Sequence, residues 1–182
     1  VKKPVGLKFL RQYVLDNAEK FGTMLIEELE ADDAMGIYGT APSDAAGSQI
    51  AIYSQDKDLK TIPCKQWDFK LDKFYTPTEF EACKFLYTQV LTGDAVDGYK
   101  GCPKIGKVKA AKALAECTNE LGLLQACHAL FAKAYSEEEA KEKLLEQIGQ
   151  ARILHHADSI LLFGYDTLYD PYEMLEGASE VC

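Results

Sequence analysis

Two aspartates, Asp94 and Asp97, stand before a glycine-rich turn, Gly98-Tyr-Lys-Gly101-Cys-Pro-Lys-Ile-Gly106, and a helix-forming run, Lys107-Val-Lys-Ala-Ala-Lys112. Residues 100–112 hold five lysines (Lys100, Lys104, Lys107, Lys109 and Lys112) and no acid, in a chain of net charge −9. Carboxylates three apart on a helix share a face and can meet one cation. Hard divalent ions take oxygen ligands, usually one or two carboxylates with waters and phosphate. Gly98, Gly101 and Gly106 permit positive φ and close approach of another backbone. A glycine turn feeding a helix N-terminus aims free N–H groups at an anion. Lysine in a first helical turn opposes the macrodipole, so Lys107 and Lys109 are placed for something negative ahead of that helix. Acids, then open amides, then lysines is an order that suits a phosphodiester held beside a metal. The plain alternative is a helix hairpin with a solvated lysine face.

Two further acidic groups share this placement at the ends of elements. Glu30-Ala-Asp32-Asp33 lies where a strand passes into a helix, and Asp56-Lys-Asp58 lies where a strand ends. Residues two apart point to one side of an extended chain. In open α/β sheets, sites gather beyond the carboxyl ends of the strands. If the three groups meet there, seven carboxylates converge, and their repulsion demands cations. Such a cluster fits two metal ions roughly 3.5–4 Å apart that clamp a phosphate during in-line displacement. Each group also has a plain reading, as helix-start acids or turn residues. His128, His155 and His156 lie away from these motifs, and His128 sits in an apolar helix as a core or groove residue.

The elements that must position these groups form an α/β layer followed by helices. A helix is expected over 5–20, with Pro4 at its start and Gly22 after its end. Thr23-Met-Leu-Ile26 suggests a short buried strand, 31–38 a helix, and 41–48 a loop. Strands are expected at 49–53 and 65–69, the latter pairing with 73–75, and a helical turn at 59–62. Together these suggest a partly parallel sheet. Thr76-Pro-Thr-Glu79 suggests a helix cap with Pro77 just inside, opening a helix to about residue 92. Helices follow at 107–116, 120–134 and 136–156, and no strand pattern appears after residue 76. In the mixed tail 157–182, Ser159-Ile-Leu-Leu-Phe163 is apolar enough to pack. The expected division is 1–76 as part of an α/β core and 77–182 as a helical region.

The bulk numbers agree with a globular chain of 182 residues, 47% hydrophobic and 27% charged. No apolar run reaches the roughly 18 residues of a membrane span. No signal peptide is visible in the amphipathic start. Six cysteines without a CxxC pair imply reduced thiols, mostly buried, and give poor zinc spacing. The acidity argues against nonspecific nucleic-acid binding through net charge, while leaving room for a local basic patch. A start at Val1 suggests a fragment or a processed product.

Glu30-Ala-Asp-Asp33, Ser54-Gln-Asp-Lys-Asp58 and Gly93-Asp-Ala-Val-Asp97 with Gly101 and Ile105-Gly106 resemble, in order and spacing, the motifs of the 5′-nuclease superfamily. That superfamily includes flap endonucleases and the 5′-nuclease domain of bacterial DNA polymerase I. Val1-Lys-Lys-Pro-Val-Gly6, Asp56–Pro63 and Gly149–Leu154 extend the likeness, most closely to its phage 5′→3′ exonucleases. The resemblance implies a PIN-like or resolvase-like sheet flanked by helices, here incomplete, followed by a helix–three-turn–helix module at about 91–116 that grips duplex DNA.

It further implies hydrolysis of phosphodiester bonds near a 5′ end or flap, with two Mg2+ or Mn2+ ions activating water. Glu30, Asp32, Asp33, Asp56, Asp58, Asp94 and Asp97 match the metal-binding acids, and all but Glu30 the catalytic set. Lys100, Gly101, Lys104, Ile105, Gly106, Lys107 and Lys109 match the DNA-binding hairpin, whose carbonyls would also hold K+. The implied setting is the cytoplasm of a phage-infected bacterium. The family's first aspartate-bearing strand, a second aspartate and a basic helical arch have no counterpart before Val1. The implied alternatives are a DNA-binding fragment that does not cleave, or a remnant completed by a separate chain or segment.

Overall fold

The computed structural model describes residues 4–27, 29–42 and 50–155. The expected loop tip at 43–48, the start of the strand at Gln49, and the tail from His156, including Ser159–Phe163, lie outside the described residues. Helices α1 (Leu7–Asp16) and α2 (Ala18–Phe21) come first, and Gly22 closes α2 in the left-handed conformation at φ 58. Neither helix buries a residue.

Residues 23–26 form no strand. A strand needs a neighbour for its N–H and C=O groups, and none of the described strands pairs with this stretch; Met24 and Leu25 are exposed instead. Helix α3 (Ala31–Thr40) follows. Its glycines set it against the rest of the fold. A Cβ on Gly36 would collide with the Leu154 carbonyl and the Ile153 side chain, and one on Gly39 would crowd the Cys64 sulfur. Glycine is costly within a helix, but here it permits close packing.

The sheet has the order β1-β2-β3. Strand β1 (Ala51–Ile52) runs parallel to β2 (Lys65–Asp68), and β2 pairs antiparallel with β3 (Lys73–Tyr75). The crossover between β1 and β2 carries a short 3-10 helix, Asp58–Thr61. Beneath the sheet, Ile52, Leu59, Ile62, Cys64 and Ile153 form a small core with Met35 against it. Buried Gln66 donates from Nε2 to the Leu59 and Ile62 carbonyls, each at 2.7 Å, which ties β2 to the 3-10 helix.

Helix α4 (Glu79–Thr92) begins two residues later than the sequence suggests. The capping box joins Thr78 and Glu81, and Pro77 stands outside the helix. Helices α5 (Lys107–Ala113), α6 (Glu120–Ala132) and α7 (Glu137–Ala151) pack with α4 around a larger core that includes Tyr87, Leu91, Leu124, Phe131 and Leu144. The Ser136–Glu139 capping box starts α7. The chain beyond α7 returns to the first half: Leu154 N donates to Asp33 Oδ1 at 3.0 Å, and Thr40 Oγ1 donates to the His155 carbonyl at 2.7 Å.

Cys64, Cys83, Cys102, Cys117 and Cys127 are free thiols. Burial pushes the Cys64 and Cys102 thiols up to about 11 and raises that of Cys127 as well, which makes them poor nucleophiles. No described helix is long and apolar enough to cross a membrane.

Phe131 is fully buried at the centre of the helical core. Phe131→Ala is expected to cost about 3–5 kcal/mol, measured as a lower urea midpoint with little change in slope.

Candidate metal centre and lysine hairpin

Helix α4 ends at Gly93, with φ 67, and the acids follow in a closed turn rather than on the helix. Asp94 and Tyr99 form an isolated antiparallel bridge; Gly98 N and Tyr99 N both donate to the Asp94 carbonyl, at 3.0 and 3.1 Å. Asp94 Oδ1 accepts Val96 N at 2.8 Å. This turn, and not a helical face, brings Asp94 and Asp97 together. Asp58 joins them from the 3-10 helix, where Gln89 of α4 donates to it from Nε2. One carboxylate oxygen from each of Asp58, Asp94 and Asp97 lies within 4.8 Å of the others.

The other acids singled out by sequence stand apart from this cluster. Asp56 is exposed, and its Oδ1 accepts Asp58 N at 3.0 Å, forming an Asx-type turn that shapes the loop. Glu30 is the N-cap position of α3, and Asp32 and Asp33 occupy its first turn. Asp33 Oδ1 is engaged by Leu154 N, and partial burial raises the Asp33 carboxyl above its usual range.

Lys57 is the group that sequence reasoning passed over. Its ammonium donates to Asp94 Oδ2 and lies 3.5 Å from Asp58 Oδ1. The signal was present in Asp56-Lys-Asp58, a cation between two acids. The Lys57 hydrogen bond holds Asp94 below the usual carboxylate range, and the same bond raises Lys57. Burial pushes Asp58 the opposite way despite Lys57 beside it. Burial, with the three aspartates nearby, pushes the Tyr99 phenol up to about 12, so it stays protonated.

The hairpin leaves this turn directly. Gly101, buried with φ 67, crosses the end of α4 so closely that a Cβ would collide with the Gly93 nitrogen and the Leu91 carbonyl oxygen. Gly101 N donates to Gln147 Oε1 of α7 at 2.6 Å, and Cys102 N donates to the Leu91 carbonyl at 3.0 Å. Gly98 also uses positive φ, at 86. Gly106 does not: its φ is −103, and the left-handed residue here is Lys104 at φ 63. Gly106 is the N-cap of α5 and supplies no side-chain cap. Lys100, Lys104, Lys107 and Lys109 are all exposed, Ile105 is half-buried, and Lys109 Nζ reaches the Lys104 carbonyl at 3.0 Å.

Three hard oxygen donors converging on one point suit a divalent ion of the Mg2+ or Mn2+ kind. The ammonium of Lys57, drawn onto two of the three carboxylates, shows that the cluster attracts a cation.

No protein-family model matches the chain. In sequence it is similar to the exonuclease of Escherichia phage T7, 39% identical over 103 residues, covering 56% of this chain and 34% of that protein. The exodeoxyribonuclease of Enterobacteria phage T3 is 37% identical over 107 residues, covering 58% and 35%. DNA polymerase I of Rhizobium leguminosarum is 30% identical over 140 residues, covering 70% and 13%. The chain thus spans about a third of the length of the phage relatives it matches. In fold it resembles the T5 D15 protein co-crystallised with metal ions, at a TM-score of 0.54 and 20% identity, over 92% of this chain and 72% of that one.

Gln147 is buried, and its Oε1 is the acceptor for the Gly101 amide. Gln147→Leu leaves that amide buried and unpaired, an expected cost of about 1–3 kcal/mol. Amide exchange at Gly101 should accelerate beyond the global change; unchanged protection there would contradict the role given to Gln147.

Proposed function

We propose that this chain, a relative of the phage 5′-nuclease superfamily, carries a metal-binding centre and a DNA-gripping hairpin of a 5′→3′ exonuclease or flap-type nuclease. One observation carries the reading: the Asp58 oxygen lies within 4.8 Å of those of Asp94 and Asp97, whose turn is continuous with a lysine-bearing hairpin. The substrate is duplex DNA near a 5′ end, and the bond hydrolysed is a phosphodiester.

Asp58, Asp94 and Asp97 are the residues that would hold a divalent ion, Mg2+ or Mn2+. Glu30, Asp32, Asp33 and Asp56, which the resemblance would make ligands of a second ion, form no such group among the described residues. Bound divalent ions lower the pKa of water and offset charge that builds on the phosphate. The protein's own part is placement. Gln89 fixes the orientation of Asp58, and the Asp94 carbonyl closes the turn that presents Asp94 and Asp97.

Lys100, Lys104, Lys107 and Lys109 attract the duplex backbone. The uncapped amides behind Gly106 add an anion-favouring end to α5. A lysine row beside an acid cluster divides the labour: one binds phosphate along the duplex, the other neutralises the phosphate under attack. Lys57 must leave Asp94 for an ion to bind there.

A second reading is favoured by that same Lys57 contact, which already neutralises part of the acid cluster. In it the chain grips DNA through the hairpin without cleaving it.

Two measurements test the pair of readings. Mn2+ binding, followed by electron paramagnetic resonance of the free ion, should weaken in Asp94→Asn. Release of short products from a 5′-labelled duplex in Mg2+ should fall on the order of 10²-fold in that variant. Salt-sensitive duplex binding without product release, lost in Lys107→Ala, selects the second reading. A chain that binds neither Mn2+ nor duplex overturns both. Lys57→Gln removes a competing cation and is expected to tighten Mn2+ binding roughly tenfold; weaker binding would show that Lys57 supports the centre instead.

A further inference from the structure

Away from the acids, the outer face of the sheet carries a group of aromatic rings. The register sets Trp67 opposite Phe74, and Ile52 opposite Gln66, so Tyr53 follows beside Trp67 on the same face. The rings touch in sequence: Tyr53 to Phe69 and Trp67 to Phe74 at 4.8 Å between centroids, and Tyr53 to Trp67 at 5.9 Å. Tyr53 is 69% exposed, Phe74 47% and Phe69 39%. The core under this sheet lies on the opposite face, with Ile52 and buried Gln66. Rings held against each other, with their outer surfaces in water, form a preassembled stacking surface.

Lysines are interleaved with these rings. Lys65 Nζ sits 4.7 Å from the Phe74 centroid. From residue 60 to residue 75 there are four lysines (60, 65, 70 and 73) and two aspartates (68 and 72), a local balance of +2 in a chain of −9. Asp68 is turned inward on the backbone, its Oδ1 accepting Lys70 N and Leu71 N at 2.8 and 3.0 Å. Where β2 ends, a groove of about 400 Å³ runs from Trp67, Phe69 and Lys70 past Asp68 and Gln66 to Asp56 and Lys57. It therefore reaches the loop that carries Asp58.

We propose that this face binds single-stranded nucleic acid, with bases stacked on Tyr53, Trp67, Phe69 and Phe74 and the backbone followed by Lys65 and Lys70. Unpaired bases present a π-face that a duplex hides, and aromatic platforms edged by cations bind them with little regard to sequence. A purely apolar partner would gain nothing from the interleaved lysines. The inference rests on the sheet face alone and requires neither a metal nor cleavage.

Trp67 is the chain's one tryptophan, so its emission reports on this surface directly. The full chain is titrated with oligothymidylate in EDTA, and quenching of Trp67 is followed. Saturable quenching is expected, with log Kobs falling as log salt rises. Tyr53→Ala and Phe69→Ala should each weaken binding about tenfold, the scale of one lost base–ring stack. Lys65→Gln should make the salt slope shallower. Lys107→Gln with Lys109→Gln should reduce duplex binding and leave the quenching intact, so failure at the hairpin and failure at the sheet are told apart. Unchanged Trp67 emission overturns the inference, as does quenching that persists undiminished in Tyr53→Ala with Phe69→Ala. Emission that shifts with protein concentration and not with oligonucleotide also overturns it, and marks the face as a contact between copies.

Discussion

The crossing of two glycines organises the acid cluster and the lysine hairpin together. Gly93 ends α4 and Gly101 passes over it, both at positive φ, with backbone so close that neither position has room for a Cβ. The closure of residues 94–99 follows from that crossing. Asp94 and Asp97 lie within the closed turn, and the lysines of the hairpin leave from its other end. The buried amide of Gly101 would be costly without an acceptor, and Gln147 supplies one from α7. Thus the turn that carries Asp94 and Asp97 is held by the helical core, and the sheet's crossover brings Asp58 to it.

Electrostatics explains the second feature of the molecule. Three carboxylates drawn together repel one another, and the chain answers with its own cation. Lys57 meets Asp94 and Asp58, and Gln89 adds a neutral donor to Asp58. The opposite displacements of Asp94 and Asp58 within one cluster reflect this uneven support: Asp94 has the ammonium's hydrogen bond, while at Asp58 desolvation outweighs Lys57. Positive charge elsewhere is kept local, on the hairpin and on the outer sheet face. A chain with an overall excess of acid can thereby present a basic hairpin without being basic.

The 3-10 helix packs against α4 beside the candidate acid cluster. The small core under the sheet includes Ile153 from beyond α7, and Asp58 stands between the 3-10 helix and α4. Asp33 is drawn into this junction by the Leu154 amide. An acid at the start of a helix, read from sequence as a ligand, thus has a backbone partner already. Its neighbours Glu30 and Asp32 remain at the open end of α3.

The sequence alone determined the local elements, because caps, turns and apolar spacing act over a few residues. Helices α3 to α7, the β2–β3 hairpin and the 3-10 turn lie within a few residues of where those signals put them. The capping signal at Thr76 was displaced by two positions because Thr-x-x-Glu occurs twice in overlapping form, and only Thr78 with Glu81 closes the box. The kinship of three spaced acidic motifs was legible for the same local reason. Tertiary structure decided which acids meet. Asp58 reaches Asp94 and Asp97 through the packing of a crossover against α4, a contact across more than thirty residues that no spacing encodes. It also decided that residues 23–26 form no strand, that Gly106 needs no positive φ, and that Gln147 completes the hairpin. Each of these depends on whether a partner for a backbone or side-chain group arrives from a distant part of the chain.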